Sequence, residues 1–259
     1  MTSATQQWTA GLAQWGIPDG IIKQAPQSPW IHPPALFEIP EEIADSPSHQ
    51  RAREALSENG SLIDVGCGGG MATFAIAPPA ALITGIDHQS SMLDLYAREA
   101  EQRGLTHTEI LGDWPDVANQ VERSDVVVCH NVAYNISDIV PFIQALNNHA
   151  LKRVVIEIPM EHPLAPMRDL WKHFWDLERP AGPTAQTLFD VISESGFPAH
   201  SEQREAPARE PVDFDQHVEF TSVRLCLGPE RRHEVAEFLR AHPASPSRTV
   251  VTIWWDATS

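Results

Sequence analysis

The sequence predicts an α/β fold: a doubly wound, seven-stranded, mostly parallel sheet with an N-terminal cap and an insertion between its last two strands. Three observations predict it. From Ser61 onward, short β-rich runs alternate with segments of helical period, the pattern of a parallel sheet covered on both faces. The first of these runs passes directly into Gly66, Gly68, Gly69 and Gly70 just before a helical segment. The chain has 259 residues, 42% of them hydrophobic, and no internal repeat or low-complexity tract, which suits one large domain with additions.

Taken in order, residues 1–60 carry Trp8, Trp15 and Trp30 among prolines at 18, 26, 29, 33, 34, 40 and 47, a density that interrupts long helices. They read as a cap with one or two short helices, the last over Pro47–Glu58. Residues 61–259 read as the main domain. Its strands are expected over Ser61–Val65, Ala81–Ile86, Thr108–Leu111, Asp125–Cys129, Arg153–Ile158, Ala199–Glu205 and Thr249–Trp255. Helices are expected over Gly70–Ala77, Ser91–Arg103, Ile139–His149, Leu164–Leu177 and Thr184–Ser195. Pro183 and Thr184 supply the last start signal, and Leu188, Val191 and Ile192 share one face. Residues 207–248, including Val212–Leu227 and a helical Glu230–Ala241, form the insertion.

Composition excludes several classes. With 18 Lys+Arg against 35 Asp+Glu the formal charge is −17, which opposes phosphate backbones and anionic lipid surfaces, so no nucleic-acid partner is expected. Three cysteines, Cys67, Cys129 and Cys226, fit reduced thiols in a cytoplasmic setting better than a disulfide framework. The first residues lack a basic segment followed by an apolar one, so export is not expected. The longest apolar stretch is broken by Pro78 and Pro79, so no membrane span is expected. No C-x-x-C and no histidine pair at helical spacing occurs, so no metal is expected.

The densest chemical signal is Asp64-Val65-Gly66-Cys67-Gly68-Gly69-Gly70, a turn that lets backbone approach a ligand closely. A dinucleotide fingerprint would need a third glycine where Met71 stands, and no lysine follows to make a phosphate-cradling loop. Asp87 ends the second strand, where a carboxylate accepts from both ribose hydroxyls. Asp113 ends the third strand, placed to accept from an adenine amine, with Trp114 beside it to flank the ring. An adenosine group satisfies both acids.

The order D-V-G-C-G-G-G, then G-I-D-H-Q-S-S-M-L, then G-D-W, then D-V-V-V-C-H-N-V-A-Y-N resembles the class I S-adenosylmethionine-dependent methyltransferases over about residues 61–160. The resemblance implies their Rossmann-like fold and an enzyme that uses S-adenosylmethionine. It further implies that Gly66, Gly68 and Gly70 line the methionine part and sugar, that Asp87 holds the ribose and that Asp113 reads the adenine. Asp64 matches the acid that supports the cofactor's amino end. His88 and Trp114 match positions flanking adenine, and His130 or Asn131 sits where the fourth strand opens toward the sulfonium.

Methyl transfer from a sulfonium is an in-line displacement that gains most from holding the acceptor at near-attack distance. A hydroxyl or ammonium acceptor needs a base, for which the candidates are His130, Glu157 and His162; a carboxylate acceptor needs none. No N-P-P-Y tetrapeptide occurs, so nucleobase and amide nitrogen acceptors are unsupported. The expected substrate is a small molecule methylated at oxygen, with methylation of RNA or protein and a non-catalytic binding module as alternatives. Candidate acceptor contacts are Trp30, Phe37, Tyr134 and Trp171. An arginine among Arg168, Arg179 and Arg224 would favour an acidic acceptor. The apolar stripe Leu164, Met167, Leu170, Trp171, Phe174, Trp175 and Leu177 suits core or a homodimer contact.

Overall fold

A computed structural model describes residues 2–30, 39–207, 213–243 and 245–258. The strands are β1 (Gly60–Val65), β2 (Ala80–Asp87), β3 (Thr106–Leu111), β4 (Ser124–His130), β5 (Ala150–Pro159), β6 (His200–Pro207) and β7 (Ser247–Asp256). They form one sheet in the order β3-β2-β1-β4-β5-β7-β6. The five strands from β3 to β5 run parallel, whereas β7 is antiparallel to both β5 and β6. β1 pairs with β2 on one side and β4 on the other. The strand order therefore reverses at the C-terminal end of β1, where open α/β sheets form their ligand crevice.

The helices are α1 (Ala4–Gln14), α2 (Asp19–Ile22), α3 (Pro47–Ala55), α4 (Met71–Ile76), α5 (Ser90–Gln102), α6 (Ile139–His149), α7 (Arg168–Trp175), α8 (Ala185–Glu194), α9 (Phe214–Arg224) and α10 (Arg232–Ala241). Consecutive Val126, Val127 and Val128 are all fully buried, because this sheet has no wet face. Ile63, Val127 and Ile156 pack with Trp8, Phe142 and Leu188 of α1, α6 and α8. Leu62, Val126, Val128 and Val155 pack with Ala52, Phe74 and Tyr96 of α3, α4 and α5. No helix among the described residues is long and apolar enough to cross a membrane.

Residues before β1 thus cover both faces. The prolines begin only at Pro18, so nothing interrupts α1, which a Ser3/Gln6 capping box starts. Trp8 anchors it, its indole N–H donating to the Ile136 carbonyl at 2.8 Å. The single helix expected over Leu164–Leu177 instead begins as a 3-10 turn, Ala165–Met167, with Pro166 in it, before α7. α7 stops at Asp176, whose φ of 49° is left-handed. In the segment between β6 and β7, α9 and α10 pack on α7 through Leu170, Trp171, Phe174, Val218, Leu225 and Val235, a cluster separate from both sheet faces.

Candidate cofactor and acceptor site

The loop leaving β1 hangs on the end of β2. Gly66 and Cys67 both donate to the Ile86 carbonyl, at 2.8 and 3.0 Å, and the Gly68 N–H donates to Asp87 Oδ2 at 3.0 Å. The turn needs φ of 72° at Gly66, 54° at Gly68 and 95° at Gly70, values that side chains resist. Space is also short. A Cβ on Gly66 would lie 2.3 Å from Val132 Cγ2, and one on Gly70 the same distance from Phe74 Cε2.

Asp87 is half-buried, and its other oxygen accepts from the Gln89 N–H at 2.9 Å. Two backbone donors thus fix the carboxylate while leaving it lone pairs for a further donor. Asp113 lies just past β3, its side chain 78% exposed and 3.9 Å from the equally open His88. Trp114 turns the other way: it is buried, edge-on to His149 at 4.8 Å, and its indole N–H has no partner among the described residues. Asp64 is buried on the strand itself and accepts from Thr73 Oγ1 at 2.8 Å. Burial pushes its carboxyl up to about 7, against the Thr73 hydrogen bonds.

A second cluster lies at the C-terminal ends of β4 and β5. His130 sits opposite Glu157 in register, and Glu157 opposite Thr252 of β7, so all three side chains share the face that α3 covers. Ser48 of α3 donates to Glu157 Oε2 at 2.7 Å, and Arg204 of β6 lies 3.5 Å from the same oxygen. His49 of α3 stacks on His130 with ring centroids 5.8 Å apart. His49 Nδ1 and His130 Nε2 are buried without a hydrogen-bond partner among the described residues. Burial lowers both imidazoles, His49 to about 4 with the neighbouring His130 adding to the effect. Burial also acts to raise Glu157, but His130, the Ser48 hydrogen bond and Arg204 outweigh it and hold the carboxyl below its usual range. At neutral pH the cluster is an ionised carboxylate beside two uncharged imidazoles, a combination able to take up a proton. Asn131, next along, has a left-handed φ of 61° and donates its N–H to the Glu157 carbonyl at 2.7 Å.

The other residues singled out by the sequence lie apart. His162 stacks on Trp15 at 4.1 Å and meets the edge of Tyr134 at 5.2 Å, and its Nδ1 accepts from the Leu164 N–H. Burial, then Arg179 and Arg168, lowers it to about 4. The buried Tyr134 hydroxyl reaches the carbonyls of Pro159 and Met160, both at 3.1 Å. Trp171 is buried against Arg179, Trp30 is exposed, and Phe37 lies outside the described residues. Ser48, His49 and Arg204 escaped the sequence reading. The one trace Ser48 and His49 leave is that the buried side of α3, Ser48, His49 and Ala52, lacks the large apolar stripe that is usual.

Residues 56–167, from before β1 to the start of α7, match the family model described as a methyltransferase domain. The strand order, with its reversed last strand, is that of the Rossmann-like methyltransferase fold. Over this stretch the chain is similar to methyltransferase domains, in line with the class I S-adenosylmethionine-dependent motifs of its sequence. A ubiquinone biosynthesis O-methyltransferase of Coxiella burnetii is 31% identical over 77 residues, covering 30% of this chain and 33% of its own. That of Cereibacter sphaeroides is 29% identical over 139 residues, 54% of this chain and 55% of its own. The match thus spans about a third to a half of the length of these relatives. A Bacillus halodurans protein provisionally assigned as a methyltransferase superposes with a TM-score of 0.56 at 17% identity, covering 82% of this chain and 97% of that one.

The matched region has residues that fit S-adenosylmethionine, the methyl donor of such methyltransferases. The left-handed glycine turn has no Cβ to stand between backbone and ligand. Asp87 offers a fixed carboxylate for a vicinal diol, Asp113 an open one for an exocyclic amine, and Asp64 a buried carboxyl near the loop's start.

Proposed function

We propose that this protein transfers a methyl group from S-adenosylmethionine to a hydroxyl oxygen of a small organic molecule, with His130 removing the acceptor's proton. The observation that carries the reading is the buried, unpartnered Nε2 of His130 beside ionised Glu157, at the end of the strand next to the glycine loop. Bound S-adenosylmethionine supplies an electrophilic methyl on a sulfonium. The chain does the rest. Asp87 and Asp113 hold the nucleoside, and the glycine turn brings its backbone to the methionine part. His130 accepts the hydroxyl proton, and Glu157, fixed by Ser48, stabilises the imidazolium that results. A net charge of −17 disfavours RNA as acceptor, and the O-methyltransferase names of the relatives agree with oxygen as the target.

The test is mass spectrometry of a metabolite extract incubated with the protein and isotopically labelled S-adenosylmethionine. A labelled methyl ether should appear, and His130→Gln should slow its formation by roughly 10²–10⁴-fold with cofactor affinity unchanged. Labelled methyl esters formed equally fast by the variant would replace the hydroxyl with a carboxylate acceptor. No labelled small molecule at all would refute the activity.

A further inference from the structure

Arg179 follows α7 and is 8% exposed, yet it has no acidic partner among the described residues. Its Nη1 donates to the carbonyls of Trp15 and Gly16, at 3.2 and 3.0 Å, which fixes the guanidinium against the end of α1. Nε and Nη2 have no hydrogen-bond partner among the described residues. These two N–H groups lie on one edge of the guanidinium plane, parallel and spaced to grip both oxygens of a carboxylate. The guanidinium lies over Trp171, the ring centroid 4.1 Å from Cζ, and the buried indole N–H of Trp171 likewise has no partner among the described residues. Trp15 flanks the group at 5.8 Å and stacks in turn on His162.

The titratable groups facing this cation do not neutralise it. His162 is uncharged at neutral pH, being lowered to about 4. The Cys226 thiol is raised by burial, so it too is uncharged. Arg168 is committed to Glu161 at 3.1 Å and to the carbonyls of Pro180 and Ala181. Burying a guanidinium with two donors unmet is costly, and one oxyanion would meet both donors and the charge together. A phosphate dianion would call for a second unpaired cation, which Arg168 does not provide. A monoanionic carboxylate, flat enough to lie among indole rings, needs only the edge that Arg179 presents.

We propose that the Nε and Nη2 edge of Arg179, walled by Trp15 and Trp171, is a receptor for the carboxylate of a small organic acid. It builds on the small-molecule reading of the acceptor, because His162 and Tyr134 link this receptor to the C-terminal ends of β4 and β5. The acid is then the acceptor itself, anchored by its carboxylate while a separate hydroxyl is methylated.

The experiment titrates the full chain, without cofactor, with benzoate and with its neutral counterpart benzamide. Arginine Nε–H resonances and tryptophan fluorescence are followed. Benzoate should saturably shift one arginine resonance and quench fluorescence, benzamide should do neither, and Arg179→Lys should weaken benzoate by about tenfold or more. Trp171→Phe, which keeps the ring and removes its N–H, guards against a lysine variant that fails to fold and should weaken benzoate more modestly. An unsaturable response, equal binding of benzamide, or benzoate binding untouched by both variants would overturn the proposal. Since no cofactor is present, failure here leaves methyl transfer standing, and absence of methyl transfer leaves this site standing. In turnover, a raised KM in Arg179→Lys for a labelled carboxylate product's precursor marks the acceptor as the source of the carboxylate. An unchanged KM, with benzoate still altering the rate, marks a separate effector acid.

Discussion

Ser48 Oγ and Glu157 Oε2 are joined by a 2.7 Å hydrogen bond between residues 109 positions apart, tying the helix ahead of β1 to the end of β5. Both groups are buried, so the bond has little competition from water. Ser48→Ala should cost about 1–3 kcal/mol in urea unfolding at pH 7, since it removes a donor from a buried charge. The folded Glu157 carboxyl lies below its ordinary 4.5, so the stability it supplies is complete above that value and is lost as pH falls below it. The variant should therefore show a shallower loss of stability on the acid side than the parent. A variant as stable as the parent across that range would remove Ser48 from the account.

Asp64 should act in the opposite sense. Its folded carboxyl sits at about 7 against an ordinary 3.8, so between those values the folded state keeps a proton that the unfolded chain has released. Stability from this group therefore falls as pH rises from about 4 to about 7, by as much as about 4 kcal/mol. His49 and His162, held near 4 against 6.5, push the other way, because acidification must charge buried imidazoles. The two trends overlap, so the parent's curve alone cannot separate them. Comparing Asp64→Asn with the parent by urea unfolding from pH 4 to 8 does, and the variant should gain most at the alkaline end. An equal gap at every pH would mean that Asp64 is not protonated in the folded state.

The order of elements and the acids at the strand ends were legible because each rests on local signals. A β-branched run, a glycine turn and an acid at or just past a strand end are all read within a few positions. The segment Ile139–His149 coincides with α6 because its apolar period is strong and uninterrupted. What was not legible depends on tertiary contact. Trp114 stands next to Asp113 in sequence, yet one is buried under His149 and the other open to solvent. Nothing near Ser48 or His49 signals that α3 will lie across β4 and β5, because that placement is fixed by the sheet and not by α3's own weakly apolar sequence. Arg179 stands in the sequence as one of three candidate arginines, but its burial is fixed only when Trp15 and Trp171 close on it.

Gly66 separates two costs that usually arrive together. An alanine there meets a φ of 72°, worth roughly 1–2 kcal/mol for an L residue, and a Cβ placed 2.3 Å from Val132 Cγ2. Gly66→Ala should lose about 2–4 kcal/mol when the overpacking is added. Combining it with Val132→Ala removes the clash and leaves the backbone term, so the double variant should recover part of the loss relative to the sum of the two single variants. A strictly additive double-mutant cycle in urea unfolding would show that Val132 does not limit the space at this turn.

Asp87 holds the loop with the same carboxylate that is proposed to bind the ribose. It accepts from Gly68 and Gln89, which holds the glycine turn against β2 and leaves lone pairs for a further donor. Asp87→Ala loses both functions, and calorimetry should show S-adenosylmethionine binding weakened by roughly 1–3 kcal/mol, about 5- to 150-fold. Asp87→Asn keeps one oxygen acceptor but loses the charge, so its affinity should fall between those of the parent and the alanine variant. With adenine proposed to lie at Asp113, Asp113→Asn combined with Asp87→Asn should add nearly independently unless the loop itself has moved. If Asp87→Ala binds as tightly as the parent, the carboxylate belongs to the loop alone and the ribose is held by other groups.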